Sequence, residues 1–175
     1  MQIRFGMTNF SKLAGLAIVS FSAVAFAVFT QQVWDMRPCP WCIIQRAIYI
    51  CIGLIATLGA VLARTPSRKS TFREIADIKW PWVSVGLLAA LGVGSAIYQN
   101  LVAAGQASCS VSHAQSFIMA TGLDEFLPSL FMVTGTCADA AKLLGIPYEI
   151  ASAVLFLLIV CWCLHSIFSH KKDLF

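Results

Sequence analysis

Two cysteines three residues apart, in Pro38-Cys39-Pro40-Trp41-Cys42-Ile43-Ile44-Gln45-Arg46, are the residues here whose types and spacing most directly suggest chemistry. A C-x-x-C pair supports thiol–disulfide exchange, which needs a thiolate and an accessible sulfur. If Cys39 caps a helix and Pro40 takes its first position, the proline's missing N–H costs nothing there. Trp41 and Cys42 then fall at the second and third positions, where free N–H groups and the positive end of the helix dipole stabilise a thiolate. Arg46, four residues past Cys42, shares its helix face, and Gln45 follows Cys42 at i+3. A guanidinium there can stabilise a thiolate and donate hydrogen bonds to a carbonyl oxygen of an apolar electron carrier, with Gln45 as a second donor. The competing reading of Arg46 is an interfacial side chain reaching out to the headgroups.

Two more cysteines, Cys109 and Cys137, stand 28 residues apart in a later stretch. Thr136-Cys137-Ala138-Asp139 has the form of a helix start, and Gly145 followed by Pro147 has the form of its stop. Cys137 is thus expected to open a short helix. The remaining three, Cys51, Cys161 and Cys163, lie in apolar runs and read as small packing residues. The alternatives for the outer four are static disulfides or one structural zinc site with four cysteine ligands, in a non-enzymatic membrane subunit. Against zinc, the second pair is spread too far for a tight knuckle. Against static bridges, a C-x-x-C loop is too small to constrain the unfolded chain much. No metal is expected.

The elements that must position these residues are membrane spans. Of 175 residues 59% are hydrophobic and 11% charged, with a mean hydropathy of +0.81. Four runs without Asp, Glu, Lys or Arg, at about 13–29, 47–63, 82–98 and 150–168, each match the length a helix needs to cross the hydrocarbon core. The expected fold is an all-α integral membrane four-helix bundle forming a single domain over 1–175. Its outer loops are 30–46 and 99–149, and its inner loop is 64–81. Within 99–149, Met119, Leu123, Phe126, Leu127 and Leu130 recur at roughly helical spacing, interrupted by Gly122 and Pro128. That pattern predicts short helices lying in the interface, apolar side down.

Charge sets the orientation. Nine of the twelve Lys/Arg precede the first run, lie between the second and third, or follow the fourth; only Arg37, Arg46 and Lys142 lie on the other side. The positive-inside rule makes both termini and the inner loop cytoplasmic and puts all four cysteines Cys39, Cys42, Cys109 and Cys137 outside, where disulfides persist. The net charge of +4 therefore reflects topology and gives no reason to expect nucleic acid. Ala25-Phe26-Ala27 resembles a signal-peptide cleavage site, but the apolar run continues to Phe29, so the segment is read as a retained span. Trp34 and Trp41 are expected at headgroup level, which sets the depth of the first cysteine pair.

Four spans, Cys-x-x-Cys running into Gln45-Arg46 after the first, and a second cysteine pair in the second outer loop resemble the bacterial DsbB family. The stretch from Thr136 to Pro147 resembles that family's segment before the fourth span. The resemblance implies a thiol:quinone oxidoreductase of the bacterial inner membrane that reoxidises a DsbA-like periplasmic thioredoxin-fold protein, a relay that is itself the standing example of a compartment kept oxidising kinetically. It implies Cys39, Cys42, Cys109 and Cys137 as the catalytic residues. The partner would attack a Cys109–Cys137 disulfide at Cys109, Cys137 would pass electrons to Cys39–Cys42, and Cys42 would face ubiquinone or menaquinone beside Arg46 and Gln45. Capping alone favours Cys39 as the better-stabilised thiolate, while the family places Cys42 at the quinone; the sequence leaves that choice open.

Overall fold

The structure, a computed structural model, describes residues 2–64, 80–101, 113–135, 142–143 and 146–172. Four long helices dominate it: α1 (Gln2–Val33), α2 (Pro40–Arg64), α3 (Trp80–Leu101) and, after the outer segment, α7 (Tyr148–Lys172). Each contains a stretch of 22 to 25 residues apolar enough to cross a membrane, or about 33–37 Å of helix, enough for a hydrocarbon core of about 30 Å. This is an α-helical membrane bundle.

Helical periodicity places the core. Tyr49, Ile52, Ala56 and Ala60 of α2, Trp82, Val85 and Ala89 of α3, and Phe156, Ile159 and Cys163 of α7 recur every three or four residues and are all buried together with Leu13, Leu16 and Val24 of α1. Leu54, Leu58, Leu87, Leu91 and Leu158 point the other way, each more than half exposed, as suits side chains that meet lipid. The principal packings are α1 on α2, α3 on α7 and α2 on α3. Small residues bring the helices close: a Cβ on Gly92 of α3 would stand 2.6 Å from three ring atoms of Phe156 on α7. By contrast α1 and α7 have little backbone contact with each other.

The boundaries differ from expectation in ways that matter for the site. Helix α3 runs through Leu101, so Gln99, expected to open the outer loop, is a buried helical residue. The outer segment contains α4 (His113–Thr121), α5 (Leu123–Phe126) and α6 (Pro128–Phe131), broken where expected: Gly122 takes φ +63° after α4 and Pro128 opens α6. Ile118 of α4 and Phe131 of α6 pack on Ile43 at the start of α2, while Phe117, Met119 and Met132 remain exposed as apolar surface. The helix predicted to open at Cys137 does not run through Lys142 and Leu143. Residues Lys142–Leu143 (β1) pair antiparallel with Ile146–Pro147 (β2), in the register Lys142↔Pro147 and Leu143↔Ile146. Gly145 itself falls outside the described residues. Cys109 and the start signal Thr136–Asp139 fall outside the described residues.

Candidate active site

The cysteine motif folds as its local chemistry dictates. Helix α2 begins at Pro40, and the first intrahelical bond runs from the Ile43 N–H to the Cys39 carbonyl at 3.2 Å. The Cys42 N–H, an orphan of the first turn, donates to Cys39 Sγ at 3.4 Å, so the cysteine side chain itself caps the helix. The two sulfurs stand 2.8 Å apart. Cys39 is almost wholly buried and Cys42 partly so. Trp41, between them in sequence, packs its ring 4.9 Å from that of Tyr98 on α3.

Cys42 also meets a residue that the sequence did not single out. Gln99 of α3, fully buried, donates from Nε2 to Cys42 Sγ at 3.4 Å and accepts at Oε1 from Gln45 Nε2 at 2.9 Å. Gln45 therefore spends an amide N–H on Gln99. No spacing rule points from Cys42 to a glutamine 57 residues away; a carboxamide in the outer turn of an apolar helix was the only available hint.

Arg46 turns inward. It is 7% exposed, and its Nη1 donates to Gln31 Oε1 at 2.8 Å and to the Leu130 carbonyl at 3.2 Å, while Nη2 donates to the Ala27 carbonyl at 3.2 Å. That arrangement excludes the headgroup-reaching alternative. The acceptors lie on α1 and α6, so one guanidinium ties the outer end of α1 and the outer segment to α2. Its Nε and second Nη2 hydrogens have no acceptor among the described residues. Charged groups at this depth require such partners.

Between α1 and α7, floored by α2, lies a cavity of about 140 Å³. Phe26, Ala27, Tyr49 and Leu155 supply apolar wall, and Cys42, Gln45, Arg46 and Tyr148 converge on the same space. It occupies the gap left where α1 and α7 do not pack. Tyr49 is held by stacking on Phe156 (4.1 Å between centroids, 7° between planes) and by donating its hydroxyl to the Ser152 carbonyl at 3.1 Å. An apolar slot with a few convergent polar groups suits a flat, weakly polar ligand.

The outer segment returns to the motif. The N–H groups of Thr134 and Gly135 both donate to the Pro38 carbonyl, at 3.2 and 3.1 Å. The approach is so close that a Cβ on Gly135 would stand 2.6 Å from the Arg37 carbonyl oxygen. Gly135 precedes Cys137 by two residues, and Pro38 adjoins Cys39.

The comparisons with known proteins bear on this arrangement. The sequence model of the family described as Disulfide bond formation protein DsbB matches residues 11–166. The chain belongs to the DsbB family. Among its relatives, the disulfide bond formation protein B of Cupriavidus necator is 30% identical over 134 residues, 75% of each chain. That of Herminiimonas arsenicoxydans is 28% identical over 162 residues, 91% of this chain and 96% of the relative, and that of Dechloromonas aromatica 30% over 156, 85% and 84%. The chain is thus a bacterial membrane protein of disulfide bond formation, a disulfide-forming oxidoreductase.

The remaining cysteines divide. Cys163 packs in the core as expected, but Cys51 and Cys161 are exposed on the outside of the bundle. An apolar run does not reveal which of its faces turns inward. Among the described residues no cluster of three or more His, Cys, Asp or Glu could hold a metal ion.

Proposed function

We propose that this DsbB-family chain, as one membrane domain, is a thiol:quinone oxidoreductase that reoxidises a DsbA-like thioredoxin-fold protein of the periplasm. The observation that carries the reading is that Cys42, Arg46 and Gln45 line one apolar-walled cavity between α1 and α7, at the outer end of the bundle. Both termini lie in the cytoplasm and both cysteine pairs on the periplasmic side, as the distribution of Lys and Arg favours.

Electrons move as pairs through exchange of S–S bonds. The partner's dithiol reduces the Cys109–Cys137 disulfide and leaves as a disulfide, Cys109 being the sulfur attacked. The Cys109/Cys137 dithiol next reduces Cys39–Cys42, regenerating its own bond. Attachment of Thr134 and Gly135 to Pro38 supports that second transfer, because two residues of chain reach at most about 7 Å from Gly135. The Cys39/Cys42 dithiol then closes to a disulfide and releases two electrons and two protons. A bound ubiquinone or menaquinone supplies the two-electron, two-proton acceptor at this point. Phe26, Tyr49 and Leu155 give the slot its apolar wall, and Arg46 and Gln45 bring N–H donors to its polar end.

Anaerobic titration of the purified chain with a reduced thioredoxin-fold donor and quinone tests the reading. One quinol should form per donor disulfide; donor oxidation without quinol, or neither, refutes it.

A further inference from the structure

The two sulfurs of the C-x-x-C pair are served by different donors. Cys39 Sγ accepts the backbone N–H of Cys42, a contact built into the helix start and available to any residue at position 42 other than proline. Cys42 Sγ accepts the side chain of Gln99 from another helix. By capping alone Cys39 should carry the charge once the pair is reduced, yet Cys42 is the sulfur that lines the cavity.

We propose that Gln99, held by Gln45, is the residue that stabilises the thiolate on Cys42 and so selects which of the two sulfurs faces the acceptor as the anion. The geometry makes this specific. A carboxamide offers two N–H donors on one side and an acceptor on the other. With Gln45 Nε2 as donor to Gln99 Oε1, turning Gln99 alone would set two NH2 groups against each other and present an oxygen to the sulfur. In the observed orientation, Gln99 gives Cys42 a donor. Gln99 is fully buried and Gln45 nearly so, where a hydrogen bond to a charged acceptor is worth most. Gln45 thereby acts through Gln99, as a positioning residue, in addition to lining the cavity. The role rests on the proposed thiol-to-quinone reading, but its test needs neither quinone nor partner, so the two fail separately.

The full chain in detergent is reduced, exposed briefly to iodoacetamide across a range of pH, and the singly modified peptides at Cys39 and Cys42 are counted by mass spectrometry. Gln99→Leu should lower the ratio of Cys42 to Cys39 adducts by about tenfold, the loss of one hydrogen bond to a charged group. It should also move the Cys42 rate profile towards higher pH. Gln45→Leu should act in the same direction by about threefold, and Gln99→His, which keeps an N–H donor, should retain most of the wild-type ratio. A purely structural loosening would raise both adducts together. An unchanged ratio in Gln99→Leu, or parallel changes at both cysteines, overturns the proposal. If Gln99→Leu does not fold, Gln45→Leu decides by the same ratio, and an unchanged value there overturns it equally.

Discussion

Gly135→Ala isolates the docking of the outer segment from the rest of the chemistry. The new Cβ would stand 2.6 Å from the Arg37 carbonyl oxygen and 3.0 Å from its carbon, both backbone atoms that cannot rotate away. An ordinary C···O contact is about 3.3 Å, so the two strands of chain must separate by about 0.7 Å. The bonds from Thr134 and Gly135 to the Pro38 carbonyl, now 3.2 and 3.1 Å, would lengthen to about 3.8–3.9 Å, beyond hydrogen-bonding range. Two such bonds contribute about 1–3 kcal/mol, a factor of about 5 to 150 in the opening of the segment. Amide hydrogen exchange at Thr134 and Gly135 should accelerate by a factor in that range. Transfer from a reduced partner to Cys39–Cys42, followed by rapid quench and thiol trapping, should slow at least about fivefold. Oxidation of pre-reduced Cys39–Cys42 by quinone should change much less, since neither Thr134 nor Gly135 lines the cavity. If exchange accelerates while transfer keeps its rate, docking on Pro38 is not on the path; if the quinone step falls equally, the glycine serves the fold alone.

Arg46→Ala should raise the apparent KM for quinone about tenfold while changing that for the protein partner much less, the loss of one charge-assisted hydrogen bond; equal changes would count against a quinone contact. Arg46→Lys should fail to restore it, because one ammonium cannot reproduce a fork that reaches Gln31, Ala27 and Leu130 together. Cys109→Ser and Cys137→Ser should each abolish partner oxidation yet leave quinone-driven closure of Cys39–Cys42 intact, read by alkylation of the remaining thiols; loss of closure in both would contradict the division of labour. Gly92→Ala should destabilise the bundle by about 1–3 kcal/mol through overpacking on Phe156. The thermal midpoint in detergent reports this, and an unchanged midpoint would show that α3 and α7 can separate at no cost.

What was legible in the sequence is what is local or one-dimensional. The spans follow from run length, because a helix that satisfies its own backbone in lipid needs no knowledge of its neighbours. The start of α2 at Pro40 follows from capping rules that reach only three residues. The break at Gly122 and the restart at Pro128 follow in the same way. The pairing of Lys142–Leu143 with Ile146–Pro147 was not legible, because so short an antiparallel pair carries no periodicity of its own. Gln99 was illegible for a different reason: its importance lies in contacts with Cys42 and Gln45, more than fifty residues earlier. Nor did Arg46 disclose its acceptors, two of which are backbone carbonyls that carry no residue identity.

Those carbonyls also explain why the arginine and the outer segment have to be considered together. The stretch 130–135 is attached to the start of α2 twice, at Leu130 by the Arg46 guanidinium and at Thr134 and Gly135 by the Pro38 carbonyl. Cys39 and Cys42 lie in the chain between those two attachment points. A guanidinium buried at this depth needs acceptors, and Gln31, Leu130 and Ala27 serve three of its five N–H donors. A ligand in the cavity that takes the Nη1 hydrogen now given to Leu130 releases one of the outer segment's two ties, whereas one that takes the Nε or second Nη2 hydrogen leaves both in place. The residue that would meet an electron acceptor is therefore also one that holds the chain leading to the second cysteine pair, and the physical basis is the same set of N–H donors.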